Sequence, residues 1–145
     1  MLHMQLIPEL LKTKSSWNKL RRIIARCLIF NSMLKGTRKA GEITVDDLTK
    51  AERLIVKTIQ QNEHRETNEL AKLDPIIDSH GLTRVGGRLK KSNLPQEIKH
   101  PVIIPAKGDL TRLLVSHFHN QVHHQGRGIT LNAIIQAGLW IIGGV

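Results

Sequence analysis

The sequence predicts a mainly α-helical α+β protein with one small β-hairpin. Apolar residues recur at three- and four-residue steps, a glycine pair splits a short alternating run, and two prolines enclose a β-branched run. With 145 residues, the chain is long enough for one ordinary domain or two very small ones. We expect residues 1–72 to form a basic, helical, linker-like region and residues 73–145 to form a second domain.

The first helix is predicted from an apolar stripe on one of its faces. Ser15 or Ser16 is the expected cap at its start, and Gly36 is expected to end it. Because Cys27 lies on the stripe, we expect a buried thiol rather than a reactive one. The stripe consists of Trp17, Leu20, Ile23, Ile24, Cys27, Leu28 and Met33 or Leu34.

A second helix is predicted to open at Thr44. Thr44 and Asp47 have the spacing of a capping box, in which each side chain accepts a hydrogen bond from the other residue's backbone. The polar residues 60–69 are interpreted as a frayed helix end or a linker. The expected core face consists of Leu48, Ala51, Ile55 and Ile59.

The predicted β-hairpin spans residues 82–105. In its first half, Gly86 and Gly87 permit a positive φ or a close approach of two backbones, which indicates a bent strand, a bulge or a hairpin. Its second half is the run of residues 102–104 between two prolines. Since proline cannot donate a hydrogen bond to a sheet, this run suits an edge strand paired with the first half.

Two further helices are predicted, over about residues 109–124 and 130–140. The first begins at Asp109 and ends near the glycines that follow residue 125. Thr130 is the expected cap of the second helix, because a threonine oxygen there accepts from a free backbone N–H. Ile134 and Ile135 are expected to pack inward.

The composition excludes several classes of protein. A single Cys rules out an internal disulfide framework, and 3% aromatic residues argue against a stacking platform for single-stranded nucleic acid. No signal peptide or membrane-spanning run is visible, so we expect an intracellular protein, in the nucleus or the cytoplasm, that is not secreted and has no membrane partner. Without a nucleophile elbow or a phosphate-binding loop, we expect no catalysis and no small-molecule substrate.

Positive charge is concentrated near the beginning of the chain. Residues 12–39 carry nine Lys and Arg and no acidic residue, whereas residues 42–78 carry nine acidic and five basic residues. Such asymmetry favours a nucleic-acid partner, because fixed cations displace counterions from phosphates; the alternative is a solvated helix face. The candidate nucleic-acid-binding residues are Lys19, Arg21, Arg22, Arg26, Arg84, Arg88, Lys90 and Lys91.

A cluster of histidines carries the candidate metal chemistry. On a helix His119 and His123 are one turn apart, so both imidazoles face one point, as a pair of metal ligands requires. His119 and His124 form such a pair only if the helix unwinds before the following glycines. In one alternative, His117 packs in the core and the others lie on a polar face. In another, His117, His119 and one of the pair form a three-histidine hydrolase site.

An ordered series of short motifs runs through residues 73–140. It consists of Leu-Asp-Pro at 73–75, Gly-Leu at 81–82, Arg-Val-Gly-Gly-Arg-Leu at 84–89, His-Pro-Val-Ile-Ile-Pro at 100–105, His-Phe-His at 117–119, His-His-Gln-Gly at 123–126, Thr-Leu at 130–131 and Trp-Ile at 140–141. This series resembles the N-terminal zinc-binding region of integrases from BEL-Pao type LTR retrotransposons. Residues 17–73 more loosely resemble the helical linker that precedes integrase in such polyproteins.

The resemblance implies a helical integrase-type module in which two histidines and a downstream Cys-x-x-Cys bind one zinc ion. His119 matches the first ligand, and His124 or His123 matches the second; His124 is favoured because it precedes x-Gly, as the family's second histidine does. The sequence reaches Val145 without the Cys pair. We therefore expect a module that is incomplete at its C-terminus, with weak or absent zinc binding.

The resemblance also implies a function in DNA integration. The family's domain contacts the element's DNA ends and supports multimerisation, which implies a DNA partner and a homo-oligomer. Because the family's Asp-Asp-Glu catalytic core is missing, we expect a non-catalytic fragment with weak, sequence-independent binding. Ile135 and Leu139 depart from the family, which has Arg and an aromatic residue there. The alternative function is a structural or protein-interaction helical module without a nucleic-acid role.

Overall fold

The structure, a computed structural model, describes residues 2–62, 68–86, 93, 95–105 and 108–142. Helices and a small sheet make the fold α+β, as the sequence predicts. The chain forms two compact units, Met1–Thr58 (unit 1) and Ile59–Val145 (unit 2). The boundary between them lies upstream of the expected one at residue 72.

Unit 1 is helical and contains α1 (Leu2–Thr13), α2 (Trp17–Leu34) and most of α3 (Val45–Asn62). α1 was not among the helices predicted from the sequence. Pro8 lies inside this helix, which buries Ile7 and Leu11 one turn apart. No helix in the described part of the chain has both the length and the apolar character needed to cross a bilayer.

The boundaries of α2 confirm the prediction, but the far end of its apolar stripe does not. The Ser16 side chain accepts a hydrogen bond from a first-turn N–H at 3.4 Å, and Gly36 follows the helix end with a φ of 72°. Ile29 is buried, whereas Met33 and Leu34 are 39% and 72% exposed. The prediction that Met33 or Leu34 continues the core stripe was therefore wrong.

The capping box at the start of α3 is present as predicted. The Thr44 N–H donates to Asp47 Oδ2 at 2.8 Å, and the Asp47 N–H donates to Thr44 Oγ1 at 3.2 Å. Arg38 forms an ion pair with the same buried carboxylate. The hydrogen bond from Arg38, followed by the one from the Thr44 backbone, holds the pKa of Asp47 far below its ordinary value.

The core face of α3 differs in part from the expected one. Ala51 and Ile55 are buried, whereas Leu48 and Ile59 are only half-buried. The helix continues to Asn62, so residues 60–62 belong to it and are not a frayed end or a linker.

Unit 2 contains a four-stranded sheet with the strand order β1-β2-β3-β4. β1 and β2 are antiparallel, β2 and β3 are antiparallel, and β3 and β4 are parallel. The elements are α4 (Asn68–Lys72), β1 (Pro75–Ile77), β2 (Thr83–Val85), α5 (Gln96–Lys99), β3 (Val102–Ile104), α6 (Asp109–Gln121), α7 (Arg127–Gln136) and β4 (Leu139–Ile141).

The predicted hairpin pairing is confirmed, but the position of β3 is not. Arg84 of β2 pairs with Val102 of β3. β3 was expected to be an edge strand, yet β4 covers its other side and all three of its residues are buried. The flanking prolines leave the N–H groups of β3 intact, so nothing prevents pairing on both sides.

The last helix begins and ends earlier than predicted. Gly126, not Thr130, precedes α7, so Thr130 lies inside the helix, where it is buried and donates to the Gly126 carbonyl at 2.9 Å. α7 ends at Gln136, and Gly138 follows with a φ of 81°. Because this left-handed residue ends the helix, Leu139–Ile141 becomes a strand and not a last helical turn.

Gly86 makes the close backbone approach predicted for the glycine pair. Its N–H points at the carbonyls of Leu73 and Asp74, at 3.2 Å and 3.0 Å. An added Cβ would lie 2.2 Å from the Asp74 oxygen and 2.8 Å from a methyl group of Ile76. Gly86 is therefore required where the end of β2 meets the start of β1. Gly87 lies outside the described residues.

Candidate functional site

The histidine cluster lies where α6 ends. The helix stops at Gln121, and His123 and His124 both have left-handed backbones, with φ of 54° and 59°. The His124 N–H donates to the His119 carbonyl at 3.1 Å, which closes the turn. The rings of His119 and His124 meet edge to face with centroids 4.4 Å apart. The unwinding that a His119–His124 pair requires is therefore present.

Thr130 orients the His119 ring. The Thr130 hydroxyl lies 3.3 Å from His119 Nδ1 and donates its own proton to the Gly126 carbonyl. With its proton directed to the Gly126 carbonyl, the Thr130 oxygen is available to accept from a hydrogen on His119 Nδ1. In the tautomer with that hydrogen, Nε2 carries the lone pair that a metal ion requires.

Two imidazoles make up half of the ligand set of a structural zinc site. Zinc takes imidazole nitrogens in such sites but needs four ligands. The described residues contain no group of three His, Cys, Asp or Glu side chains able to hold one metal ion. His117 is half-buried with its ring against Phe118, so the described part of the chain does not assemble the three-histidine site.

Three of the predicted nucleic-acid-binding residues form one face of α2. Lys19, Arg22 and Arg26 are exposed and spaced three and four residues apart, which places them on the same side of the helix. Within the described part of the chain, no ion pair or hydrogen bond engages the charged groups of these three side chains. We call Lys19, Arg22 and Arg26 the basic face.

Arg21 has a different role from its neighbour Arg22. Its guanidinium pairs with Glu52 of α3, bonds to Asn18 and lies 5.9 Å from the Trp17 ring centroid. Since these contacts engage the guanidinium within unit 1, Arg21 joins α2 to α3 and is not free for phosphate.

Arg84 is likewise engaged in the interior of unit 2. Its Nε donates to Asp78 at 2.6 Å, and its Nη1 donates to the His100 carbonyl at 2.9 Å. Burial raises the pKa of Asp78, but the Arg84 hydrogen bond and those from the Leu82 and His80 backbones outweigh it, so the pKa is lowered. Arg84 thus stabilises the sheet. Predicted site residues outside the described part are Arg88, Lys90 and Lys91.

A groove adjoins the basic face in unit 1, and the sequence analysis did not predict it. It has a volume of about 440 Å³ and is lined by Arg22, Arg26, Phe30 and apolar side chains that include Ile29 and Leu48. Phe30 is 61% exposed. Phe30 lies four residues after Arg26, and residues at that spacing share a helix face. This spacing is the feature of the sequence that could have indicated the groove.

Chemically, the two sites offer different interactions. The pair in unit 2 brings two imidazole rings together, and imidazole nitrogen is a common zinc ligand. The basic face in unit 1 carries exposed cations, which attract phosphate. No family model, curated protein or solved structure matches the chain.

Proposed function

We propose that this protein is a non-catalytic nucleic-acid-binding module of the retrotransposon-integrase type, with sequence-independent DNA as its main partner. The basic face is the observation that carries the proposal. Unit 1 holds twelve Lys and Arg against five Asp and Glu. Arg21, Arg38 and Lys50 are neutralised by acidic neighbours, so the unengaged charge includes the basic face. Such a surface gains affinity by releasing counterions from phosphates.

The histidine pair is the second part of the proposal. His119 and His124 supply two nitrogen ligands for zinc, and Thr130 holds His119 in the binding tautomer. Bound zinc would act structurally, by fixing the turn of residues 122–124 against α6. Two consecutive left-handed histidines support this assignment, because such backbone strain is concentrated at functional sites.

The salt dependence of DNA binding tests the nucleic-acid part. Affinity should fall steeply with salt, and the slope of log affinity against log salt should decrease by about 0.9 for each lost phosphate contact. Replacing Lys19, Arg22 and Arg26 together with Gln should flatten the slope by about two to three. Binding that survives this change with the same slope would refute the basic face as the DNA surface.

A matched control removes cations that already have acidic partners. Lys50 pairs with Asp46 and Arg112 with Asp109, in both cases near the protein surface. Replacing Lys50 and Arg112 with Gln should leave the slope nearly unchanged, because each cation's charge is offset locally. Arg21→Gln should lower the stability of unit 1 and change the slope little.

Exposed apolar side chains favour a second candidate, a protein-interaction module. Phe30, Leu34 and Val45 are 61%, 72% and 80% exposed. Exposed apolar surface of this kind marks an interface when it is contiguous. Light scattering distinguishes the two: self-association that Leu34→Asp abolishes, together with no DNA binding at low salt, would favour the second candidate.

A further inference from the structure

We infer that the groove beside the basic face binds an unpaired base, so that the protein prefers single-stranded over duplex nucleic acid. This inference rests on the proposed nucleic-acid function and names the class of nucleic acid. It departs from the expectation that the low aromatic content excludes stacking. A single exposed ring is enough for one base if cations hold the backbone next to it.

The Phe30 ring lies in line with two arginines of the basic face. Arg22, Arg26 and Phe30 follow one another at four-residue steps along α2, and all three line the groove. A strand whose phosphates contact the two arginines therefore runs beside the exposed face of Phe30. Single-strand sites combine these two elements, a basic track and an aromatic side chain on which a base stacks.

The size, lining and charge of the groove also suit an unpaired base. Its volume of about 440 Å³ lies in the range of small-molecule sites, and Ile29, Met33 and Leu48 give it an apolar lining. The bases of a duplex are stacked inside the double helix, so only an unpaired base can enter the groove. Glu42 also lines the groove. A carboxylate repels phosphate but accepts hydrogen bonds from base amino groups, which suits the base and not the backbone.

The charge of unit 1 selects this occupant over an apolar peptide. Two unengaged guanidinium groups at the groove complement a polyanion, and the whole unit carries a formal surplus of seven positive charges. An acidic amphipathic peptide is the competing occupant, and the experiment below includes it.

The test uses fluorescence anisotropy of the full chain with three oligonucleotides of equal phosphate number. One is an ordinary single strand, one is an abasic strand without bases, and one is a duplex of matched charge. The ordinary strand should bind more tightly than the other two. Phe30→Ala should lower its affinity about tenfold, to that of the abasic strand, while Phe30→Trp retains the preference.

Leu34→Ala is the matched control, because Leu34 is also an exposed apolar residue of α2 but does not line the groove. It should leave all three affinities unchanged. Thermal unfolding of both alanine variants should match that of the parent protein, because neither side chain is buried.

The outcomes separate the inference from the proposed function. Equal binding of the three oligonucleotides, unaffected by Phe30→Ala, would refute the inference and leave the nucleic-acid function in place. No binding of any of them at low salt would refute both. An acidic amphipathic peptide that binds through Phe30, with no preference for ordinary over abasic strands, would assign the groove to a protein and overturn the inference.

Discussion

The Gln60 side chain hydrogen-bonds the backbone of Thr83 in both directions. Its Nε2 donates to the Thr83 carbonyl at 3.0 Å, and its Oε1 accepts from the Thr83 N–H at 2.9 Å. The same Nε2 donates to the Ile103 carbonyl at 2.8 Å. β2 and β3 pair over a short stretch, with Arg84 opposite Val102 and the Val85 N–H donating to the Pro101 carbonyl at 2.9 Å. A glutamine from α3 therefore completes the connection between these strands.

Replacing Gln60 with Ala should lower the free energy of unfolding of unit 2 by about 2–3 kcal/mol. The change removes three hydrogen bonds to the backbone of Thr83 and Ile103, and each hydrogen bond lost from a part-buried group lowers stability. Urea unfolding in a Trp17→Phe background measures this, because Trp140 is then the sole tryptophan. Gln61→Ala is the control, since Gln61 is exposed. Equal effects of the two changes would contradict the role assigned to Gln60.

Gly86→Ala should destabilise unit 2 by about 2 kcal/mol or more, because the new methyl group would overlap the Asp74 carbonyl. Gly128→Ala is the matched change. It lies in α7 with nothing within 4 Å of its added Cβ, so it should raise stability by up to about 1 kcal/mol. Urea unfolding followed by Trp140 fluorescence, in the Trp17→Phe background, measures the stability of both variants. A neutral Gly86→Ala would show that β1 and β2 do not meet this closely.

Asp47 should make the stability of unit 1 depend on pH in the acidic range. Its folded pKa is depressed below the unfolded value of about 3.9, so its stabilisation is present above that value and is lost as the pH falls. At neutral pH, Asp47→Asn should lower the free energy of unfolding by about 1–2 kcal/mol, in the range of lost helix caps. This difference should shrink below about pH 4.

Asp46→Asn is the control for this measurement, because the ion pair that Asp46 forms with Lys50 is exposed. Its removal should change stability by no more than about 0.5 kcal/mol. A Trp140→Phe background leaves buried Trp17 to report on unit 1. A difference between parent and Asp47→Asn that is constant from neutral to acidic pH would refute the assignment.

His123→Gly and His124→Gly should separate strain from metal binding. Both residues are left-handed, so each change relieves the backbone and should raise stability by up to about 1 kcal/mol. Of the two histidines, His124 has its ring against that of His119. We therefore expect His124→Gly to weaken zinc binding by at least about tenfold, the smallest loss typical of changes around a metal. His123→Gly should leave it unchanged.

Isothermal titration with zinc provides the measurement for the two glycine variants. The reverse pattern, in which His123→Gly abolishes binding and His124→Gly does not, would assign the pair to His119 and His123. A parent protein that binds no zinc would refute the metal part of the proposal.

Thr130→Ala should weaken zinc binding about tenfold, because the His119 ring loses the acceptor that fixes its tautomer. Thr130→Ser keeps the hydroxyl and should retain the affinity. Since Thr130 is buried, both variants should first be shown to unfold cooperatively. Equal zinc affinity in the Ala and Ser variants would mean that Thr130 does not orient His119.

Local signals predicted the helices with clear caps. Ser16, Thr44 and Asp47 act on backbone groups within three residues of themselves, so their effect is visible in the sequence alone. β4 gives no comparable signal, because a three-residue apolar run fits a helix end or a strand equally well. Pairing with β3, which is distant along the chain, makes this run a strand.

The candidate site, too, could be predicted only in part from the sequence. Arg21 and Arg22 are adjacent and chemically identical, yet Arg21 pairs with Glu52 whereas Arg22 is exposed and has no ion-pair partner among the described residues. Which arginine faces α3 depends on how the two helices pack, and charge patterning does not contain that information. The histidine turn was foreseeable, because the glycines after it indicate where α6 unwinds.

The parallel pairing of β3 with β4 constrains the order of events during synthesis. The Val102 N–H donates to the Gly138 carbonyl and the Ile142 N–H donates to the Ile104 carbonyl, so these isoleucine-rich strands close only when both segments have left the ribosome. Until then, one side of β3 is an open template for strands of other chains. Nascent unit 2 should therefore depend on chaperones far more than the helical unit 1, whose hydrogen bonds are local.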